Sequence, residues 1–301
     1  MMDDAIGRVR AEPSTIAAKS EWTLGGDLRV NRIGYGAMKL TGWPMGKRPD
    51  KDTALAILRR TVELGINHID TSNYYASGGM AANELIRTAL YPYPDDLVIV
   101  TKVSALIEGH DILLPAHAQR GLTPEGLRRG VEANLRSLGI DRLDVVNLRL
   151  GDGGHMPVEA ALETLMALRA EGLIRHLGIS NVTATQFARA RTVADVVCVQ
   201  NLYNIEARAD DPLVDACARA GIAYVPFLPL GGGYQPLTGR HLITVAGRRG
   251  ATVSQVALAW LLARSPNILL NPGTSSLAHL EQNLAAGHLQ LTDDDLAELE
   301  A

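Results

Sequence analysis

Three residues in the first third of the chain carry chemistry. Asp70 closes the short apolar run His68-Ile69-Asp70, and Tyr75 follows five residues later. A second apolar run, Val98-Ile99-Val100, leads into Thr101-Lys102. An acid, a phenol and an amine thus sit at or just past the ends of two successive strand-like segments. In a parallel barrel the C-terminal ends of the strands converge on one face, where catalytic groups collect. A lysine beside a tyrosine favours the phenolate and lowers the phenol's pKa. An aspartate beside that lysine keeps it charged and oriented. The trio reads as a phenol that hands a proton to an oxygen gaining negative charge. The competing reading is a structural ion pair, because a lysine ending an apolar strand needs an anionic partner in either case.

The elements that must position these groups alternate along the chain. Trp22-Thr23-Leu24 and Leu28-Arg29-Val30, joined through Gly25-Gly26, predict a β-hairpin. Strand-like runs follow at 32–37, 67–71, 98–103, 144–149, 176–180, 197–202, 223–228 and 268–271. They are apolar at nearly every position, as suits strands covered on both faces. Helix-like segments fill the gaps, from Asp52–Leu64 through Leu277–Ala286. Thr123-Pro124 is a cap followed by a first-turn proline, and Thr252-Val253-Ser254-Gln255 is a capping box. Eight strands alternating with eight helices predict an α/β fold, a (β/α)8 TIM barrel behind an N-terminal β-hairpin. A doubly wound sheet is disfavoured. Its Gly-x-Gly-x-x-Gly signature is absent from Ile33-Gly34-Tyr35-Gly36-Ala37-Met38. The longer connections, 104–122, 150–157 and 231–240, fall on the site face and are the natural substrate loops.

Composition narrows the function. Apolar residues make up 47% of 301 and charged residues 21%, ordinary for a globular protein. The net charge of −4 offers no general attraction to nucleic acid or an anionic membrane. No apolar run reaches the length of a membrane span. Residues 1–20 mix charges and read as a flexible lead, with 21–301 as a single domain. Cys198 and Cys217 lie in apolar segments and read as buried thiols of a reducing compartment, so a cytoplasmic location is expected.

Taken in order, the motifs resemble those of the aldo-keto reductases, NAD(P)H-dependent enzymes built on a (β/α)8 barrel. The resemblance covers residues 22 to 298 and rests on several separate pieces. These are Gly34-Tyr35-Gly36-Ala37-Met38; Asp70 with Tyr75; Lys102; Leu177-Gly178-Ile179-Ser180-Asn181; Gln200-Asn201-Leu202-Tyr203-Asn204; Pro229-Leu230-Gly231; and Pro272-Gly273-Thr274-Ser275 followed by Asn283. The resemblance implies that Tyr75 is the proton donor, with Lys102 and Asp70 its supports. It implies that Ser180, Asn181 and Gln200 hydrogen-bond the nicotinamide amide, and that Phe227 stacks on its ring. Gly36, Met38, Pro229, Leu230 and Gly231 are carried over as further cofactor contacts. Gly273, Thr274, His279 and Asn283 fall where the adenosine phosphate and adenine are bound. No metal is implied.

Two departures mark this chain. The family's histidine, eight residues beyond the aspartate of the fourth-strand motif, is replaced: counting from Asp144 lands on Asp152. Arg149 and His155 are the alternative donors to the carbonyl oxygen. His279 stands where many relatives carry an arginine, and Gly273 where they carry a lysine, so NADPH is expected with NADH possible. Asp144-Val145-Val146-Asn147-Leu148-Arg149 and Gln200-Asn201-Leu202-Tyr203-Asn204-Ile205 look most like the bacterial pyridoxal reductase branch. The expected activity is reduction of an aldehyde or ketone, with pyridoxal the specific suggestion, on a small-molecule partner alone. A substrate carrying its own hydroxyl beside the carbonyl would need less help from the protein. The alternative is a cofactor-binding regulatory subunit with little turnover, which would have no use for a retained proton donor.

Overall fold

The expected hairpin forms: β1 (Glu21–Leu24) and β2 (Leu28–Asn31) pair antiparallel, Leu24 opposite Leu28. Its turn requires positive φ, which Gly25 adopts at 60° and Gly26 at 84°. The computed structural model describes residues 21–43, 46–104, 107–108, 111–112, 122–150, 157–233 and 235–301. The lead 1–20, Asp152 and His155 lie outside the described residues, as do most of 104–122 and 150–157.

The barrel strands follow as β3 (Tyr35–Gly36), β4 (His68–Asp70), β7 (Val98–Val103), β10 (Leu143–Arg149), β11 (Ile174–Ser180), β12 (Val196–Gln200) and β13 (Ala223–Tyr224). Two small antiparallel ribbons stand apart, β5–β6 (Ala76–Ser77, Met80–Ala81) and β8–β9 (Ile107–Glu108, Asp111–Ile112). The seven barrel strands pair in the order β13-β12-β11-β10-β7-β4-β3, every pair parallel. The segment expected as the eighth strand, 268–271, makes single parallel bridges rather than a ladder. Ile268 pairs with Tyr224 and Leu270 with Ile33, so the sheet closes on itself. Leu270 N donates to Arg32 O at 2.7 Å and Gly34 N to Leu270 O at 2.7 Å. This is the (β/α)8 barrel expected from the alternation.

The helices are α1 (Lys51–Glu63), α2 (Ala82–Leu90), α3 (Pro124–Leu138), α4 (Val158–Ala170), α5 (Ala184–Ala190), α6 (Asp211–Arg219), α7 (Arg240–Arg249), α8 (Val253–Arg264), α9 (Leu277–Ala285) and α10 (Asp293–Glu300). The two expected starts hold: Thr123 accepts from Gly126 N at 3.0 Å, and Thr252 forms a reciprocal capping box with Gln255. The sequence reading did not anticipate α7. Ile243, Thr244, Val245 and Gly247 are poor helix formers. Tertiary packing overrides them: Leu242, Val245 and Ala246 are buried, and Arg248 and Arg249 both bridge Asp295 on α10. None of the helices among the described residues is long and apolar enough to cross a membrane.

Two apolar layers hold the barrel. The outer layer packs strand residues such as Ile69, Ile99, Val146 and Ile179 against the helices. The inner layer fills the lower barrel with Val98, Val100, Val145 and Cys198, sealed by Leu24, Leu28 and Val30 of the hairpin. Asp27 fastens that seal. It accepts from Arg175 Nη2 at 2.7 Å and sits 2.6 Å from His176 Nε2, both at the base of β11.

Candidate active site

Alternation along each strand sets what reaches the barrel interior. On β7, Val98, Val100 and Lys102 point inward; on β10, Val145, Asn147 and Arg149 do. The register puts Asn147 beside Lys102 and Gly178, and Arg149 beside Ser180. Apolar filling therefore gives way upward to a polar layer of Asp70, Lys102, Asn147 and Gln200. Outward-facing residues of the same strands are pinned as well. Thr71 Oγ1 donates to Asn83 Oδ1 at 2.8 Å, Asn83 Nδ2 to Asn134 Oδ1 at 3.0 Å, and Thr101 Oγ1 to Asn134 Oδ1 at 2.6 Å. This buried network locks the ends of β4 and β7, and with them Asp70 and Lys102, against α2 and α3.

Lys102 Nζ donates to both oxygens of Asp70, at 2.7 and 2.8 Å, and to Thr71 O at 3.0 Å. All three ammonium hydrogens are taken. Asp70 Oδ2 also accepts from Gln200 Nε2 at 2.9 Å, and Gln200 Oε1 accepts from Asn147 Nδ2 at 3.4 Å. Cys198 Sγ donates to Asn147 Oδ1 at 3.3 Å. Lys102 Nζ lies 5.1 Å from the centroid of the Tyr75 ring. Tyr75 packs against Tyr74 and Trp43, with ring centroids 5.1 and 5.2 Å away.

The expected lowering of the Tyr75 phenol does not occur in this geometry. Burial pushes the Tyr75 phenol well above the usual range, and the charge of Asp70 adds to the rise. Arg149 and a side-chain hydrogen bond with Tyr74 pull the other way, and more weakly. Asp70 holds the lysine's charge through two hydrogen bonds, so the phenol does not receive it. Tyr75 is a firmly protonated phenol.

A cavity of about 240 Å³ opens above this layer. Asp70, Tyr75, Lys102, Gly36, Met38 and Phe227 line it, as the sequence suggested for one shared site. Trp43, Tyr74, Leu228 and Asn271 line it too and were not foreseen; Trp43 and Tyr74 lie outside the strand-like runs, where periodicity gives no signal. Arg149 completes the wall. Gln200 sits beneath, against Asp70. Ser180 is fully buried beside Gln200, and its Oγ has no hydrogen-bond partner among the described residues. Asn181 adopts φ 57° and donates Nδ2 to Leu150 O at 2.8 Å. Pro229, Leu230 and Gly231 form the bend after Phe227, with Gly231 N donating to Leu228 O at 3.0 Å.

The remaining expected residues lie on the closing segment, outside the cavity wall. Gly36 and Gly273 meet backbone to backbone. A Cβ on Gly36 would lie 2.4 Å from Asn271 O, and one on Gly273 would lie 2.6 Å from Gly36 O. Lys39 reaches past Gly273 toward the Gly231–Gly233 turn, its Nζ 3.5 Å from where a Gly233 Cβ would be. Thr274 is buried and its carbonyl accepts from Tyr35 OH at 2.6 Å. Ser276 caps α9, which carries the exposed His279 and the buried Asn283. Cys198 and Cys217 are both buried and free, each thiol pushed up to about 12 by burial.

A parallel barrel with a buried acid–amine–phenol group at its mouth defines a class, and comparison with known proteins agrees. Residues 32–301 match the model of the aldo/keto reductase family. The chain is 52% identical over 282 residues to pyridoxine 4-dehydrogenase of Escherichia coli, covering 91% of this chain and 96% of that one. It is 36% identical to an uncharacterised oxidoreductase of Schizosaccharomyces pombe, covering 98% and 94%. Among solved structures, an aldo-keto reductase from Klebsiella pneumoniae in complex with NADPH superposes with a TM-score of 0.78 at 29% identity, over 94% of this chain and 95% of that one. The chain belongs to the aldo/keto reductase family. It is an oxidoreductase acting between carbonyl and alcohol.

Proposed function

We propose that this protein is an NADPH-dependent reductase of aldehydes, with pyridoxal its specific substrate and Tyr75 its proton donor. The observation that carries the reading is the buried phenol of Tyr75, set over a fully satisfied Lys102–Asp70 pair in the wall of a half-open aromatic cavity. The 52% identity to a pyridoxine 4-dehydrogenase supports the substrate, and the NADPH complex of the Klebsiella relative supports the cofactor.

The residues present fit a nicotinamide cofactor. The Ser180 hydroxyl is buried without a partner among the described residues, as a group awaiting a ligand would be. Gln200 and Asn181 each give one amide hydrogen inward, to Asp70 and to Leu150 O, and keep the second for a carboxamide. Gly36 and Gly273 leave no room for a Cβ, so β3 and the closing segment pack backbone to backbone at the edge of the site. Phe227 offers a ring face, and Pro229, Leu230 and Gly231 edge the site. Thr274, His279 and Asn283 would hold the adenosine end, and Met38 backs the cavity.

Bound there, the cofactor supplies a hydride to the carbonyl carbon. Tyr75 gives its proton to the carbonyl oxygen as negative charge builds on it. A phenol with a raised pKa is present in the donating form at every physiological pH, and an alkoxide is still basic enough to take its proton. Lys102, fixed by Asp70 and Thr71 O, sits beside the ring and holds the floor of the site in place. The aromatic walls exclude water and orient a flat substrate. A regulatory subunit without turnover would not need this apparatus.

The test is Tyr75→Phe. Carbonyl turnover should fall by about 10²–10⁴, the usual range for a general acid. NADPH binding, followed by quenching of protein fluorescence, should change little. Turnover within a few-fold of wild type would remove Tyr75 from the role.

A further inference from the structure

Arg149 is the one side chain of the cavity wall whose design the preceding reading leaves unexplained. It stands last in the inward column of β10, above Asn147 and beside Ser180. Its side chain is half-buried and faces the same cavity as Tyr75. A guanidinium carries five N–H donors and no acceptor. Among the described residues, those of Arg149 meet no carboxylate and no hydrogen-bond acceptor. Its side-chain contact there is the ring of Phe227, whose centroid lies 5.6 Å from Cζ. The other cation in the wall, Lys102, is fully committed to Asp70 and Thr71 O. Among the described residues the cavity therefore holds one neutralised ion pair and one cation with its fork unoccupied, between aromatic walls.

We infer that Arg149 binds the ionised hydroxyl neighbouring the aldehyde, so that the site selects flat aromatic aldehydes carrying an adjacent anionic oxygen. The inference rests on the reading of this site as an aldehyde reductase and specifies what it takes. Tyr75 serves the carbonyl oxygen and Arg149 the oxygen beside it. The pairing also has a chemical use. An adjacent phenolate pushes electron density into the carbonyl and slows hydride attack. Pairing that phenolate with a guanidinium draws the density back, and the carbonyl regains its electrophilicity. Arg149 thus takes over from the family's missing histidine by acting on the substrate's second oxygen. No further reactant enters: hydride and proton transfer stay as described.

This differs from an internal hydrogen bond within a neutral substrate, and pH separates the two. Among the described residues the groups facing Arg149 are Tyr74 and Tyr75, from the segment after β4, and the Lys102–Asp70 pair one layer below. Both tyrosines are held protonated, Tyr74 being pushed up to about 12 by burial. The substrate phenol is then the group whose ionisation the rate follows.

The probes are salicylaldehyde, 2-methoxybenzaldehyde and benzaldehyde, each reduced with NADPH by wild type, Arg149→Lys and Arg149→Gln across the ionisation of the salicylaldehyde phenol. For wild type, kcat/KM for salicylaldehyde should exceed that for the ether by about ten- to a hundredfold, the worth of a charge-assisted hydrogen bond. The ratio should grow as the phenol ionises. Arg149→Gln should bring it close to one, the loss on salicylaldehyde exceeding the loss on benzaldehyde by the same factor. Arg149→Lys, which keeps the charge and loses the fork, should recover part of it. A ratio that Arg149→Gln leaves unchanged, or that falls as the phenol ionises, would overturn the inference. So would an equal loss on all three aldehydes. Wild-type reduction of benzaldehyde itself tests the underlying reductase reading, so the two can fail separately.

Discussion

Replacing Lys102 with methionine probes the centre of the site. The change keeps the stem and deletes an ammonium that is 2% exposed. Asp70, 5% exposed, then loses donors at 2.7 and 2.8 Å and keeps Gln200 Nε2 at 2.9 Å. A buried carboxylate would be left with its charge uncompensated, which costs about 3–5 kcal/mol. Against a total stability of about 5–15 kcal/mol, that is a large fraction. At about 1.6 °C per kcal/mol for a chain of this length, the melting temperature should drop by about 5–8 °C. Asp70→Asn combined with Lys102→Met removes both charges, and the double variant should melt above Lys102→Met alone. The four proteins are compared by thermal unfolding followed by circular dichroism at pH 7. The coupling in the cycle should be about 1–3 kcal/mol. A single variant melting within about 2 °C of wild type, or strictly additive losses, would show that the two charges do not depend on each other.

Three further outcomes follow from the same geometry. Because burial and Asp70 raise the Tyr75 phenol, the reductive rate should show no loss from its ionisation up to about pH 10; Asp70→Asn removes one of the raising causes and should bring an alkaline fall into view, read from kcat against pH. His68 is held neutral by burial, its pKa pushed down to about 4, so the unfolded chain binds a proton that the folded one refuses. Stability should therefore decline as pH falls from about 6.5 toward 4, by up to about 1.4 kcal/mol per pH unit, and denaturant unfolding of His68→Asn should lack that share of the slope. His279→Ala should weaken NADPH binding while sparing NADH, measured as the ratio of dissociation constants; an unchanged ratio would remove His279 from the 2′-phosphate.

The strands were legible because they are covered on both faces. Val98–Val103 occupies the expected residues, and β10 and β11 differ from expectation at their first residues. Capping chemistry at Thr123 and Thr252 was readable because it is local. α7 was not, since Ile243, Thr244 and Val245 fit a helix only once α8 and α10 are present to pack against. The closing segment looked like a strand and makes two bridges, because its neighbours Tyr35–Gly36 and Ala223–Tyr224 are themselves two residues long. Within the site, residue types predicted that Asp70, Tyr75 and Lys102 would meet. They could not tell which partner would claim the lysine's charge. That depends on distances across the barrel, as does the chain of hydrogen bonds from Asp70 through Gln200 and Asn147 to Cys198.

The hairpin seal has a consequence for the order of events. Leu24, Leu28 and Val30 close the lower end of the barrel, so among the described residues water and protons enter from the mouth. Beneath Tyr75 among the described residues lie the Lys102–Asp70 pair, two amides, Asn147 and Gln200, a Cys198 thiol pushed up to about 12, and a His68 imidazole pushed down to about 4. Lys102 has its three hydrogens held by Asp70 and Thr71 O, so among the described residues no relay from below refills the phenol. A proton given to product returns from the mouth, through the space product still occupies. Recharging of Tyr75 must queue behind product departure, which ties each new round of reduction to the emptying of the well.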